Sequence, residues 1–464
     1  MIAEAKLTYS TGNTQEAAPM AKDRPLQDEL DKSHEALPAM LLQAMVKEKL
    51  KASGVKLRKT ALKRLVEQML AGDLDTIEID NDDLKASNKG DELPTLSFGK
   101  DDMEELERRT QRFLDQMPDM IERLAKQNAK SMVQLSRKQW HEDYGLRQAE
   151  RVAFSERLRF RWRKGLVPLN LLVEIAREYA EKRWGEEHDA NNDEGLPPRL
   201  DALFGLQRRG CQVSAEIVTL LEAGFADGAM ARWRTLFEIV VIAEILHGAD
   251  DATAERYMDH SDVDAKRAAD RYMETSPHAT LNPIPVKEMA ELAARMEALE
   301  KKYGKEFKAP YGWAAELAGQ TNPNFMTLVE RAERTSNTSV YKMASFNVHA
   351  NARSLFFRHT NMVTHSGVIA GASNAGLEDP GANTAYAIGQ LTALLMPEPL
   401  DAIDDLVMLH TIIRLREAAE KGFYKEADKL HAEDVEQAAL MQHDFSDIAV
   451  VDIEDFPTTD KIDD

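Results

Sequence analysis

The chain has 464 residues, with 59 Lys plus Arg against 80 Asp plus Glu and a formal charge of -21 at pH 7. That length allows two or three domains with cores of their own, and the acidic balance argues against a protein that coats nucleic acid over its whole surface. The single cysteine, Cys211, excludes a disulfide framework and a zinc site built on several thiolates. The longest apolar run, 236–246, is broken by Glu238 and Glu244, and the first residues lack a basic stretch leading into an apolar one. These features predict a cytoplasmic protein that neither crosses nor anchors to a membrane.

Few helix breakers (23 Gly, 17 Pro), few aromatics (6%) and abundant Ala, Leu, Glu and Met predict an all-α chain. The expected architecture is a multi-helix bundle with an N-terminal helical hairpin and disordered termini. Residues 1–36 mix polar and charged residues without an apolar period and read as a disordered tail. Residues 37–92 read as a basic helical hairpin turning at Gly54, followed by an acidic linker. Between 43 and 64 the hairpin carries eight Lys or Arg against Glu48 alone, whereas 73–92 carries eight acids against Lys85 and Lys89.

Residues 93–165 form an amphipathic linking segment. It opens with Asp101 and Asp102, and Leu106, Phe113, Met117, Met120 and Leu124 recur every three to four residues, as one helix or two joined near Pro118. A basic run follows, Arg157, Arg159, Arg161, Arg163 and Lys164 interleaved with Leu158, Phe160 and Trp162, and reads as a helix end. The helical domain spans 166–430. Pro168 is expected to open its first helix, helices follow over 200–223 and from an Asp227 N-cap to 247, and irregular buried backbone is expected among the glycines between 359 and 397, followed by helices near 383–396 and 400–421. Residues 431–464 form an acidic C-terminal tail; the last 21 carry eight acids against Lys461.

Around Gly224 the chain reads AEIVTLLEAGFADGAMARWRTLFE, followed by ERYMDH and SVYKMASFNVHA. These stretches resemble a bacterial helical domain family of unknown function, number five-six-seven-seven, over about residues 200–400. The resemblance implies a helical fold and carries no catalytic role with it.

Four constellations could carry chemistry. Glu216, Arg232, Arg234 and Glu238 place acids and guanidinium groups on apolar helices, as an internal ion-pair network or an anion pocket. His260, His349, His359 and His365 lack the Glu-x-x-His pairs of helical-bundle metal sites, so no metal and no cofactor are expected. The stretch Arg358 to His365 resembles the Arg, polar residue, spacer, His pattern of HEPN helical ribonucleases. It implies Arg358 for phosphorane charge, Asn361 for orientation and His365 for general acid or base work without metal. Lys56, Lys59, Lys63 and Arg64 on the basic hairpin could contact DNA phosphates, or form a solvated face that docks an acidic segment. No phosphate-binding loop is recognisable, and Cys211 reads as a core residue. The expected function is an interaction or sensor module of a multi-component bacterial system with a protein partner; the rival is a metal-independent RNase or toxin-like effector.

Overall fold

The computed structural model describes residues 25–71, 76–78, 83, 95–191, 195–279, 282–349, 352, 369–400 and 402–446. Among them the fold is all-α apart from one two-stranded ribbon that composition did not signal. The chain divides into two compact units, Met1–Tyr144 and Gly145–Asp464.

In the first unit, α1 (Pro25–Ala52) and α2 (Lys59–Leu70) form the helical hairpin. Gly54 makes the turn with φ +70°, a left-handed conformation that L side chains rarely adopt. Leu42, Met45, Val46 and Leu50 from α1 meet Leu62, Leu65, Val66 and Met69 from α2, with Phe98 closing the small core. The ribbon pairs β1 (Thr76–Glu78) with β2 (Thr95–Ser97) antiparallel, Ile77 opposite Leu96. Helix α1 begins at Pro25, inside the stretch expected to be a tail.

Helix α3 (Lys100–Ala190) contributes to both units. It runs without interruption through Pro118 and Pro168, so the helix expected to start at Pro168 is the continuation of this one, and the 157–164 basic run lies mid-helix. Pro168 cannot donate to the Lys164 carbonyl one turn earlier. Against that carbonyl rests Gly422 of a later helix, where a Cβ would stand 2.1 Å from the Lys164 oxygen.

The second unit is built around α5 (Ala226–His247), buried on nearly every side: Met230, Trp233, Leu236, Phe237, Val240, Val241 and Leu246 are all in the core. Such a helix is apolar over most of its surface because it faces protein in nearly every direction. It packs against α4 (Pro198–Glu222), α9 (Phe325–Arg331), α10 (Thr338–Val348) and α11 (Glu378–Ala393). Its N-cap is Phe225, and Asp227 sits in the first turn, where a negative charge meets the helix dipole.

The remaining elements are α6 (Asp251–Ala279), α7 (Val286–Tyr303), the short α8 (Ala315–Ala318) and α12 (Ile403–Ser446), which continues beyond the 430 boundary drawn from charge. Phe423 of α12 is fully buried between Gly165 of α3 and Gly381 of α11; a Cβ at either glycine would lie within 2.6 Å of the ring. Irregular backbone before α11 is buried at Ser373 and from Ala375 to Leu377, while the expected stretch at 359–368 lies outside the described residues and Gly381 and Gly389 fall within α11.

Candidate functional site

Helices α4 and α5 form an antiparallel hairpin closed by Gly224, whose φ is +80° and whose carbonyl accepts from the Ser373 N–H at 2.9 Å. A Cβ there would approach the Ser373 oxygen to 2.7 Å, so the turn is held against the buried 373–377 segment. This fixes which residues of α5 face α4 and which face α10.

The four polar residues expected as one set divide into two. Arg232 donates from Nε to Glu216 of α4, and a second arginine, Arg209, lies 4.0 Å from the same carboxylate. Arg234, two positions on, points elsewhere because successive helical residues are rotated by about 100°. Its Nη2 donates to the Tyr341 hydroxyl of α10 at 2.8 Å, and its Nε is 3.3 Å from Glu238 Oε1. Tyr341 in turn donates to Glu238 Oε1 at 2.7 Å, and the guanidinium lies 4.8 Å from the Tyr341 ring centre. Burial, reinforced by the hydrogen bond to Glu238, pushes the Tyr341 phenol up to about 12, so it stays a proton donor near neutral pH. The side chains of Arg234 and Glu238 are 24% and 32% exposed, so this triad lines the edge of the bundle and not its interior.

A more enclosed ion pair was not among the residues expected from sequence. Arg334, just after α9, grips Glu244 with both arms of its guanidinium, Nε to Oε2 at 2.9 Å and Nη2 to Oε1, and donates from Nη1 to the Tyr386 hydroxyl of α11 at 3.0 Å. Burial pushes the Glu244 carboxyl up, and the Arg334 fork pulls it back. The available signal was Glu244 itself: an acid in an apolar run that packs on all sides demands a cation.

Two glutamates of the central helix α5, Glu238 and Glu244, are thus met by arginine, one from within the helix and one from the segment after α9, and Tyr341 joins the first pair across from α10. Residues 200–367 match the family of unknown function DUF5677. The match covers well under half of the chain and contains both halves of the α5 polar network, from Glu216 to Tyr341. No curated protein and no solved structure gives a significant match. Arg358, Asn361 and His365 fall within the DUF5677 segment but lie outside the described residues, as does His359.

His260, also in that segment, is buried; its Nε2 is 2.9 Å from the Ala309 carbonyl, and Asp264 lies 3.8 Å from Nδ1. Burial lowers its pKa and favours the neutral ring, and because a carbonyl can only accept, Nε2 is the nitrogen that donates. Among the described residues no three His, Cys, Asp or Glu side chains converge as metal ligands would.

The basic hairpin lies outside the DUF5677 match. Lys56, Lys59 and Lys63 are exposed, Lys63 sits 3.6 Å from Glu67, and Arg64 makes a two-pronged bond to the buried Asp83 at 2.8 and 2.6 Å. Of the four, Arg64 is therefore already engaged with the acidic segment.

An apolar groove of about 680 Å³ opens between α3 and α4, floored by Val173, Ala180, Trp184, Phe204 and Cys211 and rimmed by Arg177 and Arg208. Burial pushes the Cys211 thiol up to about 11, which leaves it protonated and unsuited to nucleophilic work. No helix among the described residues is long and apolar enough to cross a membrane.

Proposed function

We propose that the chain is a protein-interaction module of the cytoplasm that associates with a second copy of itself through the first half of α3. The observation that supports this is a seam of Met103, Leu106, Thr110, Phe113, Met117, Met120 and Leu124, spaced alternately by three and four residues. This is the repeat by which one helix packs along another. Leu106 already packs against the hairpin core, but Leu114 and Ile121 widen the stripe beyond it, and Met120, Ile121 and Leu124 stay at least a third exposed, with Leu124 at 52%. A long helix gains most of its stability from burying such a face, so a stripe left open asks for a partner helix.

The uneven charge along the helix bears on the direction of that pairing. Residues 101–107 hold five acids and no base, whereas 123–138 hold five bases and no acid. An antiparallel pair centred on Met117 lays 101–107 of one copy against 127–133 of the other and brings Lys130 opposite Glu104. A parallel pair would oppose like charges. A two-fold axis through Met117 therefore suits a self-complementary contact.

Light scattering on the purified full chain tests the reading. A dimer is expected, and the double change Met117→Asp with Ile121→Asp is expected to give a monomer with an unaltered helical circular dichroism spectrum. A wild-type chain that stays monomeric well above micromolar concentration would refute self-association.

A further inference from the structure

The 157–164 run of α3 remains outside both the α5 network and the proposed seam. Because it is helical, its residues distribute around the axis: Leu158 and Trp162 go into the core, while Arg157, Phe160, Arg161, Arg163 and Lys164 turn outward or to the helix flank. With α12 and Asn374 they border a groove of about 640 Å³, within the range that holds small ligands.

The acids of this groove are already occupied. Glu426 is buried between Arg161, at 3.4 Å from its Nε, and Lys429, at 3.1 Å, and Glu433 takes the other arm of Arg161. No carboxylate partner is paired with Arg157, Arg163 or Lys164 among the described residues; Arg163 donates from Nη1 to the Phe160 carbonyl at 2.9 Å, which leaves its other arm, Arg157 and Lys164 for something else in a chain of net charge -21. Beside them Phe160 is 70% exposed, and the Arg163 guanidinium lies 4.3 Å from its ring centre. An exposed aromatic ring costs hydration free energy, and one face covered by a guanidinium leaves the other open to a flat partner.

We propose that this groove binds a phosphate-bearing nucleobase, as a free nucleotide or as a segment of single-stranded nucleic acid, with the base stacked on Phe160 and phosphates on Arg157, Arg163 and Lys164. An aromatic platform beside unpaired cations is the combination that holds single strands without reading sequence. Arg157 and Lys164 are seven residues apart, about 10 Å along the helix, so they can hold separate phosphates of one strand. A duplex hides its bases and would offer Phe160 nothing.

Fluorescence anisotropy of the full chain with a labelled 12-mer of oligouridylate tests this, with a duplex of the same length and unlabelled AMP and ATP as competitors. Binding at 50 mM salt is expected, weakening steeply by 200 mM through counterion release. Phe160→Ala is expected to weaken it roughly tenfold, in line with the loss of one stacked base, and Arg157→Glu with Arg163→Glu to abolish it. These side chains are exposed, so circular dichroism should be unchanged in each variant. Competition by AMP as strong as by the 12-mer would define a mononucleotide site, and competition by the longer ligand alone a strand site; either supports the proposal. No binding at 50 mM salt, preference for the duplex, or binding that survives Phe160→Ala and the double charge reversal would overturn it.

Discussion

Arg334 and Glu244 meet across 90 positions of sequence as a two-pronged pair whose side chains are only 16% and 14% exposed. Arg334 lies just after α9 and Glu244 near the end of α5, so the pair ties the periphery of the bundle to its central helix. Removing one member leaves a charge with neither water nor partner. Arg334→Ala is therefore expected to destabilise the fold by about 3–5 kcal/mol. Replacing both, Arg334→Met with Glu244→Leu, is expected to recover most of that loss. Urea melts of the three variants measure it, and losses that simply add would show that the two residues act independently.

The Arg234, Glu238 and Tyr341 triad should behave differently because water reaches it. Tyr341→Phe removes the hydroxyl that receives from Arg234 and donates to Glu238, at an expected loss of about 1 kcal/mol. Arg234→Ala is expected to cost about 1–2 kcal/mol, well short of the Arg334 value, because the exposed carboxylate can recover hydration. A double-mutant cycle between Tyr341 and Glu238 should show coupling; a value near zero would mean that the hydrogen bond adds nothing.

Glycines around Phe423 separate two kinds of close packing. Gly381→Ala pushes a methyl group against the Phe423 ring, and Phe423→Leu should partly rescue it by withdrawing atoms. Gly422→Ala pushes against the backbone oxygen of Lys164, which no side-chain change can withdraw. Both single changes are expected to destabilise by about 1–3 kcal/mol. Rescue of Gly422→Ala by Phe423→Leu would contradict this assignment.

His260 sets a pH dependence with a definite sign. Burial depresses its folded pKa below the ordinary value of 6.5, opposed by the Ala309 carbonyl and by Asp264 and reinforced by Arg267. Below 6.5 the unfolded chain binds a proton that the folded chain resists, so stability is full above that pH and falls as pH drops toward the depressed pKa. Chemical denaturation between pH 5 and 7.5 should show this fall, and His260→Gln should flatten it. An identical slope in the variant would assign the effect to other groups.

The antiparallel seam predicts a cross-link at its centre alone. Met117→Cys should oxidise to a disulfide between two copies, because residue 117 faces itself across the two-fold axis, whereas Met103→Cys faces residue 131 and should not. Efficient cross-linking at both positions would indicate a parallel pair.

Much of the helical framework was legible without a structure. The end of α5 was readable to the residue because Gly248 follows an apolar stretch, while its start lies two residues before the one an Asp227 cap implies; the α1–α2 turn was readable from Gly54, since helix ends depend on neighbours a few positions away. Helix α3 shows where local reading fails: Pro168 resembles a helix start, yet packing against Gly422 of α12 accommodates its missing hydrogen bond. The β1–β2 ribbon also escaped, as three-residue strands leave no period to detect. Periodicity placed Arg232 and Arg234 on α5, and composition singled out the 157–164 cations. Which partners they meet was decided by tertiary structure, because Tyr341, Arg334, Tyr386 and Glu426 come from distant segments. Helix periodicity is a property of about ten consecutive residues, whereas the pairing of a charge depends on what the whole bundle brings within 3 Å of it.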